Sequence, residues 1–336
     1  MNAVPIDLRW HPGLPIFASE DCLRAVGDEY GWLGGFDSTS RLRCILPYTI
    51  IRRALVRLVR FRVETIPVGG ALDIGEETAF LNSVVRHFRA RGADVIVPGT
   101  NNAIFRTYPD GADAAPYGSY VIDLTPTEEA LWRNIGRITR QNIRTAQKDG
   151  VSVRESVAEL VAVHALVRDT FRRSNLPFMA YPAFARFVDG LGANGTVRVA
   201  EYQGAIQSAV VFAFSDPCVY AVYGGNRADQ HQGANKLIYW DAMREFRARG
   251  VARFDFYGAR VDPPKGSKQE AINALKQRFG ATLVRGYMWK YPLSPLRSLA
   301  YSVGVRWLRG GDVVDRDRHK LDSAAHVVLD HSEANA

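Results

Sequence analysis

Cysteine is scarce: Cys22, Cys44 and Cys218 lie far apart in a chain of 336 residues. An odd number with no close pair excludes a disulfide framework, a cysteine-based zinc site and a dithiol redox motif, and leaves free structural thiols. No apolar run approaches the roughly 18 residues that a membrane-spanning helix needs. The opening stretch MNAVPIDLRWHPG has no charged segment leading into an apolar one, so the sequence predicts a cytoplasmic chain without a secretory leader. The seven histidines (His11, His87, His164, His231, His319, His326 and His331) include no ligand pair at i, i+4. Each reads as a surface or structural residue, and no metal is expected. Also missing are a phosphate-binding G-x-x-x-x-G-K-[ST] loop, a G-x-G-x-x-G turn after a strand, H-E-x-x-H and G-x-S-x-G. Kinase, dinucleotide-dependent dehydrogenase, zinc protease and serine hydrolase readings lose their main support.

What is present is an ordinary globular balance of 47% hydrophobic, 23% charged and 11% aromatic residues. Length alone favours about two domains. Lysine and arginine outnumber aspartate and glutamate by 43 to 35, a formal charge of +8. That excess favours anionic partners such as nucleic acid, phosphorylated substrates or a membrane surface.

In the first third, IIRRALVRLVR (Ile50 to Arg60) is basic and amphipathic. It reads as a surface helix or solvated edge, with membrane or phosphate contact as the alternative. Glu76 to Arg91 reads as a helix stopped by Gly92, burying Phe80, Val84, Val85 and Phe88. ADVIV, AIFRTY and YVIDL follow as short strands.

A helix is then expected to start with Thr125 as N-cap and Pro126 in its first turn, and to run to Asp149 before Gly150. Along it Arg133, Arg137, Arg140, Arg144 and Lys148 recur at spacings of four, three, four and four. That spacing puts five cations in one narrow sector with no acid between Glu129 and Asp149, a pattern that suits an anion-facing stripe as well as a solvated face.

After the strand VSVRE and helices over Val157 to Arg173 and Tyr181 to Leu191, three antiparallel strands are expected: TVRVAEY, AIQSAVVFAF and CVYAVYG. Next come a helix from Ala234 to Arg249 with a core stripe of Tyr239, Ala242, Met243 and Phe246, the strand ARFDFYG, a helix from Lys268 to Arg278, and the strand TLVRGYMWKYPL. Three strands, helix, strand, helix, strand is the order of the acyltransferase fold named for the general-control acetyltransferases (GNAT). The front half has a rougher version of it. A basic amphipathic helix, SLAYSVGVRWLR, and a polar tail close the chain.

Acetyl-CoA enzymes of that fold present Q/R-x-x-G-x-G/A at a helix start, where bare amides bind the pyrophosphate. Gln230 and Gly233 match, and Asn235 stands where a small residue should be.

Two stretches carry a resemblance to a family. Tyr120 to Glu155 resembles the strand, helix and R-x-x-I-R-x-A-x-K-x-G-V segment of the Fem family, the aminoacyl-tRNA-dependent transferases that build peptidoglycan cross-bridges. Gly233 to Tyr287 is similar to the same family's G-x-x-x-F-D-F-x-G and F-K-x-x-F-G-G region, with Leu275 and Ala281 departing from it. The resemblance implies a mixed α/β (α+β) chain of two tandem GNAT-like domains with a cleft between them and no coiled-coil arm. The sequence divides at 1–155, 156–295 and a basic helix with its tail at 296–336. It further implies a catalytic Lys276 that stabilises the oxyanion or holds a tRNA phosphate, the alternative being an exposed helix lysine. Tyr181, Tyr223, Arg140, Arg144, Asp255 and Tyr257 are the implied substrate-binding set, although the tyrosines also suit a core, the arginines also suit domain packing, and Asp255 also suits a strand end held by a backbone amide. Arg133, Arg137 and Lys148 are expected to meet tRNA or phosphate.

The function expected is amide formation from aminoacyl-tRNA and the amine of a peptidoglycan precursor or related acceptor, with no cofactor and with peripheral contact to an anionic membrane. An activated ester needs no dedicated base, which agrees with the absence of a triad. An acyl-CoA-dependent N-acyltransferase is the first alternative, and a catalytically idle nucleic-acid or membrane binder the second.

Overall fold

The computed structural model describes residues 1–53, 56–309, 311, 312, 314 and 315. In chain order its elements are β1 (Asn2–Ile6), α1 (Glu20–Val26), β2 (Glu29–Phe36), β3 (Leu42–Arg53), β4 (Val56–Phe61), β5 (Ile66–Pro67), α2 (Ile74–Ala90), β6 (Val95–Pro98) and β7 (Asp113–Asp123). There follow α3 (Glu128–Asn134), α4 (Arg137–Lys148), β8 (Ser152–Glu155), α5 (Leu160–Arg172), α6 (Tyr181–Leu191), β9 (Gly195–Tyr202), β10 (Ala205–Ser215) and β11 (Cys218–Asn226). The last are α7 (Ala234–Ala248), β12 (Arg253–Asp255), β13 (Ala259–Arg260), α8 (Lys268–Gln277), β14 (Thr282–Pro292) and α9 (Pro295–Arg309).

The chain divides into two units whose bounds differ from the sequence-based 1–155 and 156–295. The first holds 1–8, 27–118 and the described residues from Arg285, and the second holds 9–26 and 119–284. The boundaries fall inside β7 and β14, so segments distant in sequence complete each unit, a pattern that a linear reading does not reveal. The expected tail of 316–336 lies outside the described residues.

In the first unit β2, β3 and β4 form an antiparallel meander, and α2 crosses over to β6, which pairs parallel to β4. Leu33, Leu46, Val59 and Phe61 of the sheet bury against Phe80, Val84, Val85 and Phe88 of α2. A capping box starts that helix: Asp73 accepts from Glu76 N at 2.7 Å, and Glu76 accepts from Asp73 N at 3.1 Å. The described residues of Ile50 to Arg60 are not helical but belong to the antiparallel pair β3 and β4, with Ile50 opposite Val59 and Arg53 opposite Val56. Its β-branched residues favour the pleat, and cross-strand burial prevails over an amphipathic pattern that fits either period. AIFRTY is no strand either; only Phe105 bridges to Tyr287.

The second unit repeats the plan. β9, β10 and β11 form a meander, α7 crosses to β12 parallel to β11, and β7 closes on β12 antiparallel. One face of the sheet, including Ala200, Val210, Phe212 and Val219, buries against Leu131 of α3, Ile143 and Ala146 of α4, and Ile238, Met243 and Phe246 of α7. On β10 and β11 also packs α5, while α6 packs on α1.

The single helix expected up to Asp149 is two helices. Asp123 accepts from Thr125 N at 2.9 Å and turns the chain, so the N-cap is Thr127, which accepts from Ala130 N at 3.2 Å. Ile135 is extended, and Gly136 N donates to Arg278 O at 2.7 Å, which separates α3 from α4. Arg133 therefore sits on α3 and the other four cations on α4.

Candidate functional site

The second unit has one conspicuous opening in its sheet. β11 and β12 pair over two positions only, Val219 with Phe254 and Tyr220 with Asp255. β11 then continues along β10 to Asn226, while the other chain leaves through a tight turn. Tyr257 (φ 59°) and Gly258 (φ 85°) make that turn with left-handed backbones. A tyrosine there costs conformational energy, and the surroundings must hold it.

Asp255 does so: its carboxylate accepts from Tyr257 N at 2.6 Å and from the Ser119 hydroxyl, which itself accepts from Gly258 N at 3.0 Å. Burial pushes the Asp255 carboxyl up, while those hydrogen bonds and then the Lys276 charge pull it back. Asp255 therefore serves the turn and has no role shown toward a substrate.

Lys276 projects from α8 and is only 8% exposed, so it is not a solvated helix lysine. Its Nζ donates to Gly258 O. Burial pulls its pKa down to about 8 despite the opposing pull of Asp255. One N–H of the ammonium is used and two remain, held in a poorly solvated position, which is what a developing oxyanion requires. From the same helix Asn273 donates to Arg260 O at 2.9 Å and Gln277 to the Tyr120 hydroxyl at 2.9 Å.

Tyr239 of α7, expected only as core, lies beside this turn, with its ring 5.3 Å from Phe256 and 5.7 Å from Phe279. Its hydroxyl is 3.5 Å from where a Cβ on Gly224 would stand, and burial raises its pKa to about 12. A neutral phenol next to the strand opening is a hydrogen-bond donor that helical spacing alone could not separate from packing.

Tyr181 and Tyr223 share a different neighbourhood. Phe178 and Phe184 each pack against both Tyr223 and His164, and His164 meets Tyr181 edge to face. His164 Nε2 meets Met179 O at 2.9 Å and ties down the loop before α6, a structural use of that histidine. Tyr257 is half-buried against Phe17, 5.9 Å between ring centres.

The cations separate by role. Arg140 donates through Nη1 to the carbonyls of Trp132, Arg133 and Ile135, capping the C-terminus of α3, a structural use of one edge of its guanidinium. Arg144 lies over the Trp132 ring at 5.4 Å. Arg133, Arg137 and Lys148 are exposed. Arg137 lines a pocket of about 220 Å³ with Gly136, Ile138, Thr139 and Arg278, at the uncapped N-terminus of α4. Thr139 is 1% exposed, and none of the hydrogen bonds among the described residues engages its hydroxyl. Lys236 adds a third cation: burial and then the Arg278 charge hold it below the usual lysine range. First-turn amides, a hydroxyl and guanidinium groups that make no ion pair among the described residues suit a phosphate. Sequence spacing did not single out Thr139, Ser119 or Arg278, because each acquires its neighbours only through the fold.

The loop that matches a pyrophosphate cradle is used otherwise. A Cβ on Gly233 would stand 2.2 Å from Asn142 O and 2.7 Å from the Ala146 Cβ, so α4 covers it. Gly233 N donates to His231 Nδ1 at 3.3 Å, and His231 Nε2 meets Asp149 at 2.9 Å. Among the described residues no cluster could hold a metal ion.

Residues 134–264 match a family model described as an acetyltransferase (GNAT) domain, so the chain carries a GNAT-type acyltransferase domain. Among solved structures, the crystal structure of FemX is similar over 85% of this chain and 93% of that one, with 14% identity and a TM-score of 0.63. A C-terminal domain described as that of a putative lysylphosphatidylglycerol synthetase from Agrobacterium fabrum is similar over 87% and 93%, with 13% identity and a TM-score of 0.52. L-PGS from Bacillus licheniformis is similar over 83% and 89%, with 11% identity and a TM-score of 0.50. At such identities the likeness is one of fold. No curated protein matches the sequence.

Proposed function

We propose that this acyltransferase moves an aminoacyl group from aminoacyl-tRNA to the amine of a peptidoglycan precursor or related acceptor. The observation that carries this reading is the Gly233 loop. Its glycine is packed under α4 and its amide is taken by His231, so the phosphate cradle of a CoA donor lacks its central element. The anion-binding chemistry lies instead at the start of α4, where Arg137, Arg278, Thr139 and the free amides suit a nucleic-acid phosphate. The fold shared with FemX and with a lysylphosphatidylglycerol synthetase domain agrees with aminoacyl transfer.

In the reaction the acceptor nitrogen attacks the ester carbonyl, the carbon–oxygen bond to the ribose breaks, and an amide forms as the amine proton leaves for the ribose oxygen or solvent. Lys276 stabilises the tetrahedral oxyanion with the N–H groups that Gly258 O does not use. Tyr181 and Tyr223 contact the acceptor, and Arg133 and Lys148 add to the field that draws in tRNA.

A second reading, an acyl-CoA-dependent N-acyltransferase acting on an amino sugar or small-molecule amine, is favoured by one observation. Gln230 Oε1, in the Gly233 loop, and Asn235 Oδ1, in the first turn of α7, are buried without a partner among the described residues. Purified protein given total aminoacyl-tRNA charged with labelled amino acids, and in parallel labelled acetyl-CoA, separates the two. Label passing from tRNA into an RNase-resistant product is the expected result; transfer from acetyl-CoA alone overturns the first reading.

A further inference from the structure

α9 carries an apolar stripe that none of the described residues covers. Leu296, Leu299, Val303 and Trp307 are 82%, 63%, 60% and 86% exposed. At 100° per residue they fall within a sector of about 80°. The opposite face does the packing: Ser298 is 5% exposed and donates to Asp94 O at 2.7 Å, and Tyr301 lies on Leu58 and Val95. Arg297 pairs with the buried carboxylate of Asp94 at 3.3 Å, which fixes the start of the helix against the unit. The helix is thus anchored by one side while its other side, large and apolar, is held out to solvent. Largely exposed leucine, valine and tryptophan along one stripe are a cost in water and mark a surface made for an apolar partner.

We infer that α9 seats this protein on an anionic lipid bilayer, with the stripe entering the interfacial layer. Charge chooses the occupant. α9 has three arginines and no acid in its sequence, and Arg306 is exposed beside Trp307. An antiparallel pair of such stripes on two copies would bring arginines toward arginines, whereas lipid phosphates complement them. Tryptophan and leucine over a basic rim are what a helix lying in the headgroup layer presents. Among the described residues no helix is long and apolar enough to cross a membrane, so the contact is peripheral. The inference holds for either acyl donor, because α9 belongs to the first unit and the strand opening to the second.

The test is flotation of the full chain with vesicles of phosphatidylcholine, with and without one-third phosphatidylglycerol, at low and raised salt. Wild type is expected to float with the anionic vesicles only, and less as salt rises. The double variant Leu296→Ser, Leu299→Ser is expected to bind at least tenfold less with its thermal midpoint kept, since both side chains already face water. Trp307→Phe should abolish most of the fluorescence blue shift that anionic vesicles induce. Absence of wild-type flotation at low salt overturns the inference, as does a double variant that floats like wild type. A wild-type dimer that the double variant converts to monomer also overturns it and assigns the stripe to self-association.

Discussion

The two units run the same topology to different ends. In each, three antiparallel strands feed a helix that crosses to a parallel fourth strand. In the first unit β4 and β6 stay paired over four positions, from Leu58 with Val95 to Phe61 with Pro98. In the second, β11 and β12 part after two. The crossover helices differ as well. α2 has its N-terminus filled by the carboxylates of Asp73 and Glu76, which leaves no room for a foreign anion. α7 starts at Gly233 without a side-chain cap, and α4, also uncapped, begins among arginines. One copy has closed its seam and capped its crossover helix with side chains; the other has left its seam and the start of α4 open and placed Lys276, Tyr239 and a strained turn beside the gap. The candidate site thus lies where the repeated frame departs from its own regularity.

The sharpest break in that comparison is removal of the buried cation. Lys276→Ala should lower turnover by about 10²–10³-fold if the ammonium meets an oxyanion, and a near wild-type rate would leave Lys276 as a clamp on Gly258 alone. Its pKa near 8 predicts an upper limb in kcat/KM, with activity falling above that pH as the cation neutralises. Lys276→Arg, charged throughout, should lose that limb. Stability moves the other way. Above about pH 8 the folded chain releases this proton before the unfolded chain does, whose lysine titrates near 10.5. The unfolded state then binds more protons, and the contribution of this group to stability rises across that window. Denaturant melts from pH 7 to 10 on wild type and Lys276→Met would expose the difference as a slope that only wild type shows.

Next in size is Gly233→Ala, which asks whether the α7 start is packing or cradle. A Cβ 2.2 Å from Asn142 O forces α4 away, so a destabilisation of about 1–3 kcal/mol is expected in urea unfolding. Unchanged stability together with abolished acetyl-CoA turnover would instead restore the cradle. Smaller again is the double variant Arg137→Gln, Arg278→Gln. It should weaken tRNA binding about tenfold and reduce the slope of log K against log salt by about one for each phosphate that is no longer neutralised. An unchanged slope would return both arginines to a solvated surface.

How much of the molecule is legible in its sequence follows from physical range. The meander, α7 with its stripe of Ala242, Met243 and Phe246, and α8 are set by local periodicity and end at glycines, and they stand where the pattern puts them. The pairing of β3 and β4 within Ile50 to Arg60 is easily taken for a helix because paired arginines among β-branched residues satisfy a period of two and of 3.6 alike. The break at Ile135 depends on a hydrogen bond to Arg278, on the far side of the unit's sequence. In the site, Lys276 is visible through a motif, but Ser119, Thr139 and Tyr239 look like ordinary serine, threonine and core tyrosine until the fold supplies Asp255, the pocket and the strand opening. Arg140 shows the reverse: its spacing places it on a cationic stripe, while three carbonyls at the end of α3 claim it.

The smallest effect tests the closed copy. Asp73→Ala removes the acceptor for Glu76 N and the anchor that keeps Glu76 over Asp73 N, so the first unit should lose about 1 kcal/mol in thermal or urea unfolding. Asp73→Ser should keep most of it, since a hydroxyl also accepts from the third amide of the helix. Turnover per folded molecule and phosphate affinity should not change, because the α2 terminus is a capped structural end. A variant that instead gained anion affinity in proportion to the carboxylates removed, as in Asp73→Ala with Glu76→Gln, would mean that the first unit keeps a latent site and that only its own acids hold it shut. The difference between the two units would then be one of occupancy by side chains, and the strand opening in the second unit would have to account for catalysis without help from its helix termini.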